Sequence, residues 1–146
     1  YKLSKKQIIM DTCPLCDIKN QKYRIIEENE HAIASIIKWP LKEGHTMIIP
    51  KRHVKQLSDL EDKELKSTIN LMDKIKLKIS RLYSDSPAIH INSGANSTQE
   101  HVHIHVLPSK GSLRHLFSQY ENVPFREDIS DEEKSIIAEK IRNVKN

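Results

Sequence analysis

The chain has 146 residues, 30% of them charged and 37% hydrophobic, and it carries a formal net charge of +4. This length suits one domain, and the few glycines (3) and cysteines (2) exclude collagen-like, low-complexity and disulfide-rich secreted proteins. The small positive surplus does not mark a nucleic-acid binder, and without a bilayer-spanning apolar run or a signal peptide we expect a cytoplasmic protein.

The first part of the chain predicts three short strands. Segments 23–26 and 31–37 are rich in isoleucine, and the polar residues 27–30 between them predict a turn. Trp39-Pro40 ends the second strand, because proline cannot donate a hydrogen bond to a sheet ladder. A third strand is expected over 45–49, between Gly44 and Pro50.

One long helix is predicted next, because apolar residues recur at steps of three and four. The expected apolar stripe consists of Leu65, Ile69, Met72, Ile79 and Leu82, with Ile75 between them. Basic residues occupy the opposite side, which is either a solvated surface or an anion-binding patch: Lys66, Lys74, Lys78 and Arg81.

Two more strands are predicted over 88–91 and 102–107, with a loop over 92–98 between them. Ser130 and Glu133 form a capping box that predicts a short helix from 131 to 142. Its apolar stripe consists of Ile136, Ile137 and Ile141. This order of elements favours an α+β fold with a mainly antiparallel sheet.

Three histidines alternate with apolar residues in the last strand. In a strand, His101, His103 and His105 share one face, and the apolar residues between them point to the other. A neutral imidazole can attack phosphorus and form a phosphoramidate, while its neighbours donate hydrogen bonds to the phosphoryl oxygens. The pattern therefore favours phosphoryl or nucleotidyl transfer over acyl transfer.

The two cysteines form a C-x-x-C pair, Cys13 and Cys16. The pair alone fits a metal site, a redox pair or two free buried thiols. A redox motif is expected to open a helix after a strand, and no such strand is predicted before Cys13. A tetrahedral Cys₂His₂ zinc site needs two imidazoles, for which the candidates are His31, His53, His90, His101 and His115.

Two segments carry a resemblance to a known family. His101 to Leu107 (HVHIHVL) resembles the H-x-H-x-H-x-x signature of the histidine triad (HIT) superfamily, and Gly44 to His53 (GHTMIIPKRH) resembles that family's G-H-x-φ-φ-φ-P-K-x-H segment. The resemblance covers 13–108. It implies a HIT-like fold with a mainly antiparallel sheet of about five strands, one long helix and a short carboxy-terminal helix. We expect a single domain over 1–146, with 109–146 as a variable extension, and a homodimer.

The resemblance also implies a function. It implies a nucleotide hydrolase that cleaves at an α-phosphorus, in a dinucleoside polyphosphate or a nucleoside phosphoramidate, through a covalent histidine-nucleotide intermediate. By position His103 is the nucleophile, and His105 and His45 complete the polar cluster. The implied substrate contacts are Asn92, Ser97 and Thr98.

Some branches of the superfamily that carry C-x-x-C imply one structural zinc ion on Cys13, Cys16, His53 and His101. A closed four-ligand site leaves no position for water, so this zinc holds the amino-terminal segment against the strand that presents His103. The chain departs from the family pattern in two places. Asn96 and Ser97 stand where Gly-Gln is common, and Ile36 and Ile37 lie where an acidic or amide residue often meets the ribose.

Other readings remain open. The same intermediate serves a nucleotidyltransferase, and a non-catalytic nucleotide-binding or partner-binding module is a second class. A DNA-deadenylating repair module calls for an added DNA-binding element, which the sequence does not supply. Lys51 and Arg52 are surface charges near the cleft or phosphate ligands, and Trp39 and Phe117 either pack or stack on a base.

Overall fold

The computed structural model describes residues 13–92, 99–124, 126 and 128–145. The chain divides into two compact units, the first ending at Lys110 and the second beginning at Gly111. The first unit contains five strands and one long helix: β1 (Ile25–Glu28), β2 (Ala32–Ile36), β3 (Thr46–Pro50), α1 (Asp62–Tyr83), β4 (Ser86–His90) and β5 (Ile104–Ser109). The strands form one antiparallel sheet in the order β1-β2-β3-β5-β4. The predicted α+β class is confirmed.

Helix α1 packs on one face of the sheet. Its buried side chains recur at steps of four and three: Glu64, Thr68, Leu71, Ile75 and Ile79. They meet a cluster that includes Ile48, Ile104 and Val106, whose side chains are at most 1% exposed. Burial of each isoleucine contributes roughly 2–3 kcal/mol. Between these buried positions of β3 and β5 lie the residues of the opposite face.

The predicted stripe of α1 is wrong at its end. Leu82 is 72% exposed, and Tyr83 packs against the core instead. The predicted positions Leu65, Ile69 and Met72 are only half-buried. The buried face also contains Glu64, because Arg52 donates to both of its carboxylate oxygens at 2.8 and 2.7 Å. A pattern of apolar residues alone cannot reveal a charge that is buried with its partner.

The opposite face of the sheet is covered by the amino-terminal segment. Cys13, Leu15 and Ile18 pack there against Ile33, Met47 and Ile49, two of which belong to β3. All six side chains are buried. The C-x-x-C segment therefore lies against the face of the sheet opposite to the one that α1 covers.

Strand β1 begins and ends two residues later than predicted, so Glu27 and Glu28 belong to the strand and not to the turn. Glu27 accepts hydrogen bonds from Lys74 and from Lys78, at 2.5 Å for the latter, and these lysines lower its pKa. Part of the basic face of α1 is thus a link to β1. The turn itself is made by Asn29, whose side-chain oxygen accepts from the backbone N–H of Ala32 at 2.9 Å.

The second unit contains two helices, α2 (Leu113–Glu121) and α3 (Asp131–Arg142). The capping box of α3 is confirmed, since the Glu133 N–H donates to Ser130 Oγ at 3.1 Å and the Ser130 N–H donates to Glu133 Oε2 at 2.8 Å. Helix α2 was not predicted. Among the described residues no helix combines the length and apolarity needed to cross a membrane.

Gly44, just before β3, is required by its backbone and by its surroundings. Its φ is +85°, and a Cβ at this position would lie 2.5 Å from Tyr83 Cε2 and 2.8 Å from Pro108 Cγ. We predict that Gly44→Ala lowers the free energy of unfolding by about 2–4 kcal/mol, measured by urea denaturation. Gly111→Ala is the control, because its nearest atom would lie at 3.8 Å. Equal effects of the two substitutions would contradict this prediction.

Candidate active site and metal cluster

The histidines of segment 101–105 alternate with core residues, as predicted. Val102 is buried beside Val54, and Ile104 is buried against α1. His101 and His103 are buried at 1% and 8% exposure, and His105 is half-buried. The ladder of β5 begins only at Ile104, because the backbone N–H of Val102 donates to the carbonyl of Val54 at 2.8 Å and not to a neighbouring strand.

A chain of hydrogen bonds determines which nitrogen of His105 carries a proton. The backbone N–H of Leu41 donates to His45 Nδ1 at 3.2 Å, so this nitrogen holds a lone pair. His45 Nε2–H then donates to His105 Nδ1 at 2.9 Å. The remaining proton of a neutral His105 is therefore on Nε2. This Nε2 is buried and has no hydrogen-bond partner in the part of the chain that the structure describes, so its N–H is an unsatisfied donor.

His103 is oriented by the backbone. Its Nδ1–H donates to the carbonyl oxygen of His101 at 3.0 Å. In a neutral imidazole the other nitrogen, Nε2, then carries the lone pair. The rings of His103 and His105 meet edge to face with centroids 4.7 Å apart. A nucleophilic nitrogen and a ring that carries a hydrogen-bond donor thus lie side by side.

Burial keeps the imidazoles of His105 and His45 neutral. It lowers the pKa of His105 to about 4, and the neighbouring His103, His45 and His90 act in the same direction. Burial also lowers the pKa of His45, with a further contribution from His90. At neutral pH the two rings therefore keep the proton positions that their hydrogen bonds require.

A second cluster consists of Cys13, Cys16, His53 and His101, whose donor atoms all lie within 4.8 Å of one another. Cys16 Sγ is 3.2 Å from His53 Nδ1 and 3.5 Å from His101 Nδ1, and Cys13 Sγ is 3.6 Å from His101 Nδ1. Bond lengths of about 2.3 Å to sulfur and 2.0 Å to nitrogen place tetrahedral S and N ligands roughly 3.6 Å apart. The donor set therefore fits one metal ion.

The hydrogen bonds around His101 suit a metal ligand. Its Nε2–H donates to the carbonyl oxygen of Pro50 at 2.8 Å, so the lone pair of Nδ1 faces the two sulfurs. Burial lowers the pKa of His101 to about 4, which keeps the ring neutral. Burial and the adjacent Cys13 raise the pKa of Cys16 to about 12, and a bound cation reverses this effect by favouring the thiolate.

The other candidates have different surroundings. Of the five histidines considered as metal ligands, only His53 and His101 join the cysteines within the described residues. Arg52 pairs with Glu64, and Lys51 Nζ lies 3.2 Å from Glu28. Trp39 is 77% exposed, and Phe117 belongs to α2 in the second unit. Ser97 and Thr98 lie outside the described residues.

His90 was not predicted as a neighbour of the histidine row formed by His101, His103 and His105. It pairs in register with His105 across β4 and β5, and their ring centroids are 5.7 Å apart. Asn92 Oδ1 accepts a hydrogen bond from His90 Nε2 at 2.6 Å. The sequence predicts both strands and a mainly antiparallel sheet, but the register that places His90 opposite His105 could not be read from the pattern.

The lowered pKa of His105 predicts how stability depends on pH. Its unfolded pKa is about 6.5, so between pH 6.5 and 4 the unfolded chain binds the proton and the folded chain does not. Stability is therefore complete above pH 6.5 and is lost as the pH falls towards 4. From pH 7 to pH 5 the wild type should lose roughly 1–2 kcal/mol more than His105→Asn in urea unfolding. An equal loss in both proteins would show that the His105 pKa is not lowered.

Comparisons with known proteins identify the family. Residues 19–112 match the HIT domain. The chain is 35% identical over 111 residues to an uncharacterized 16.1 kDa HIT-like protein of Mycoplasma pneumoniae, with 73% of this chain and 77% of that protein covered. It is 36% identical over 74 residues to the asymmetrical bis(5'-nucleosyl)-tetraphosphatase of Schizosaccharomyces pombe, with 49% of this chain and 41% of that protein covered.

A solved structure of a HIT family member from Bacillus subtilis shares the fold, with a TM-score of 0.66 and 20% sequence identity over 92% of this chain and 99% of that one. The match over residues 19–112 includes both segments on which the predicted resemblance rests. The chain therefore belongs to the HIT domain family.

Proposed function

We propose that this protein is a nucleotide hydrolase that cleaves at an α-phosphorus through a covalent intermediate on His103. The proposed substrates are dinucleoside polyphosphates or nucleoside phosphoramidates. The observation that carries the proposal is the pairing of His103, whose Nε2 lone pair is left free by the bond from Nδ1–H to the carbonyl of His101, with the unpartnered Nε2–H of His105.

In the first step, the lone pair of His103 Nε2 forms a bond to the α-phosphorus, and the bond from phosphorus to the leaving group breaks with its electron pair on the leaving atom. A polyphosphate leaves as an anion, whereas the nitrogen of a phosphoramidate takes a proton from solvent and leaves as an amine. The resulting phosphoimidazolium carries a positive charge. The carbonyl oxygen of His101 stabilises this charge, because it accepts the Nδ1–H bond at 3.0 Å.

His105 stabilises the other side of the reaction. Its Nε2–H donates to a phosphoryl oxygen or to the leaving atom as negative charge develops there. His45 holds the ring in this tautomer through the 2.9 Å bond to His105 Nδ1, and is in turn held by the backbone of Leu41. His45 is therefore a positioning residue.

In the second step, a water oxygen attacks phosphorus, and the P–N bond breaks with its electron pair returning to His103 Nε2. The proton released by water passes to solvent and the nucleoside monophosphate departs. An acceptor other than water in this step would make the protein a nucleotidyltransferase, which is the alternative. Asn92, Ser97 and Thr98 are the proposed substrate contacts, and the similarity to the yeast tetraphosphatase supports a polyphosphate substrate.

The proposed metal is a structural zinc ion held by Cys13, Cys16, His53 and His101. A bound zinc ion would link the amino-terminal segment to His101, just before β5, through four protein ligands that leave no position for water. It acts on the reaction only through His101, whose carbonyl oxygen orients His103.

The proposed homodimer of the family pairs through the long helix and an adjoining strand, and β4 is an edge strand here.

The covalent intermediate gives a direct test. Wild-type protein mixed with diadenosine tetraphosphate or adenosine phosphoramidate should show a nucleotide-sized mass increase in rapid-quench intact-mass spectra. His103→Ala should show no increase, and kcat/KM should fall by at least about a thousandfold, because the nucleophile is gone.

His31→Gln is the control for loss of an imidazole, since His31 contacts Glu30 at the start of β2. Nucleotide binding by wild type and His103→Ala alike, with neither turnover nor adduct, would favour the non-catalytic binding module.

The zinc proposal predicts about one zinc ion per purified chain by elemental mass spectrometry. His53→Gln should lower this to well under half and should lower the midpoint of thermal unfolding, whereas His31→Gln should retain full zinc. A full zinc equivalent in His53→Gln would contradict the assigned ligand set.

A further inference from the structure

His90 stands at the exposed end of the histidine row and has no role in the proposed reaction. It is the last residue of β4, and it lies directly across from His105 of β5. Side chains at directly opposed positions lie on the same face of a sheet. The ring of His105 therefore has His45 at a centroid distance of 5.2 Å and His90 at 5.7 Å.

We propose that His90 binds the phosphate chain of the leaving group and thereby selects substrates whose leaving group is anionic. This inference rests on the proposed function of His103 and His105. It adds a residue that discriminates between the two proposed substrate classes, because a polyphosphate leaving group carries negative charge and the amine released from a phosphoramidate does not.

The polarity of the sheet face around His105 sets the direction of the leaving group. On the β3 side, the residue opposite His105 is Met47, which is buried with Ile33 and Ile49. On the β4 side, the opposite residue is His90, which is exposed and bonded to Asn92. A charged phosphate chain cannot be desolvated against apolar side chains without a large cost, so it lies on the β4 side.

The hydrogen bonds of His90 suit phosphate recognition. Its Nε2–H donates to Asn92 Oδ1 at 2.6 Å, so Nδ1 is the nitrogen left for a phosphate oxygen, which it binds through a proton taken up together with the ligand. The titratable groups beside it are the imidazoles of His105 on β5 and His45 before β3. Among the described residues no carboxylate forms an ion pair with His90.

The first test compares two substrates that share the adenylyl group and differ in the leaving group. For diadenosine tetraphosphate, His90→Gln should lower kcat/KM by about 10- to 100-fold, the effect expected for loss of a charge-assisted hydrogen bond. For adenosine phosphoramidate, kcat/KM should change less than about threefold, and His31→Gln should leave both values unchanged. A merely structural role of His90 would lower both values equally, and that result, or no loss with either substrate, would overturn the proposal.

A second test does not depend on turnover. Inorganic tripolyphosphate is the probe for the leaving group and AMP is the probe for the nucleotidyl group, with binding measured by calorimetry on the wild-type chain. His90→Gln should weaken tripolyphosphate binding by about tenfold and leave AMP binding unchanged.

The two proposals fail in distinguishable ways. Unchanged tripolyphosphate affinity in His90→Gln overturns the role of His90, even if His103 forms the adduct. Absence of the adduct with every substrate overturns the covalent mechanism, whereas the loss of tripolyphosphate affinity would still support a phosphate-binding role for His90.

Discussion

His101 is the residue on which the rest of the site depends, because three of its polar groups are engaged in different directions. Its Nδ1 faces the sulfurs of Cys13 and Cys16, its Nε2–H donates to the carbonyl of Pro50 at the end of β3, and its own carbonyl accepts from His103. The amino-terminal segment, the central strand and the proposed nucleophile thus meet at one buried residue. Any displacement of His101 changes the direction of the lone pair on His103.

The tautomers of the histidine row follow from backbone groups, whose donor and acceptor roles cannot change. The N–H of Leu41 forces a lone pair onto His45, and this choice is passed through His45 to His105. The carbonyl of His101 forces a proton onto Nδ1 of His103. Burial supports the arrangement of His45 and His105, because it lowers the pKa of both and so keeps their rings neutral. The site is therefore preorganised, with an acceptor nitrogen beside a donor ring before any substrate is bound.

The sheet separates structural and chemical roles by the alternation of its side chains. On β5, Ile104 and Val106 pack against α1, while His105 lies on the opposite face, which the amino-terminal segment covers in part, and His103 directly precedes the strand. That second face is itself divided, with Met47 and its apolar neighbours on one side of His105 and His90 on the other. The Met47 side is filled by the amino-terminal segment, whereas His90 is exposed. The open side of His105 is therefore the side of β4.

The sequence by itself determined the fold class, the single long helix, the capped final helix and the alternation of histidines with core residues, because periodicity and local capping depend on neighbours within a few positions. It also identified His53 and His101 as partners of the cysteines, through the family resemblance. Only the tertiary structure decided which side of α1 is fully buried, since the pair of Arg52 with Glu64 lets a charge replace an apolar residue there. Only the tertiary structure decided the proton positions of the imidazoles and the place of His90. Both depend on strand register and on contacts between residues far apart in the chain, and no local pattern encodes these.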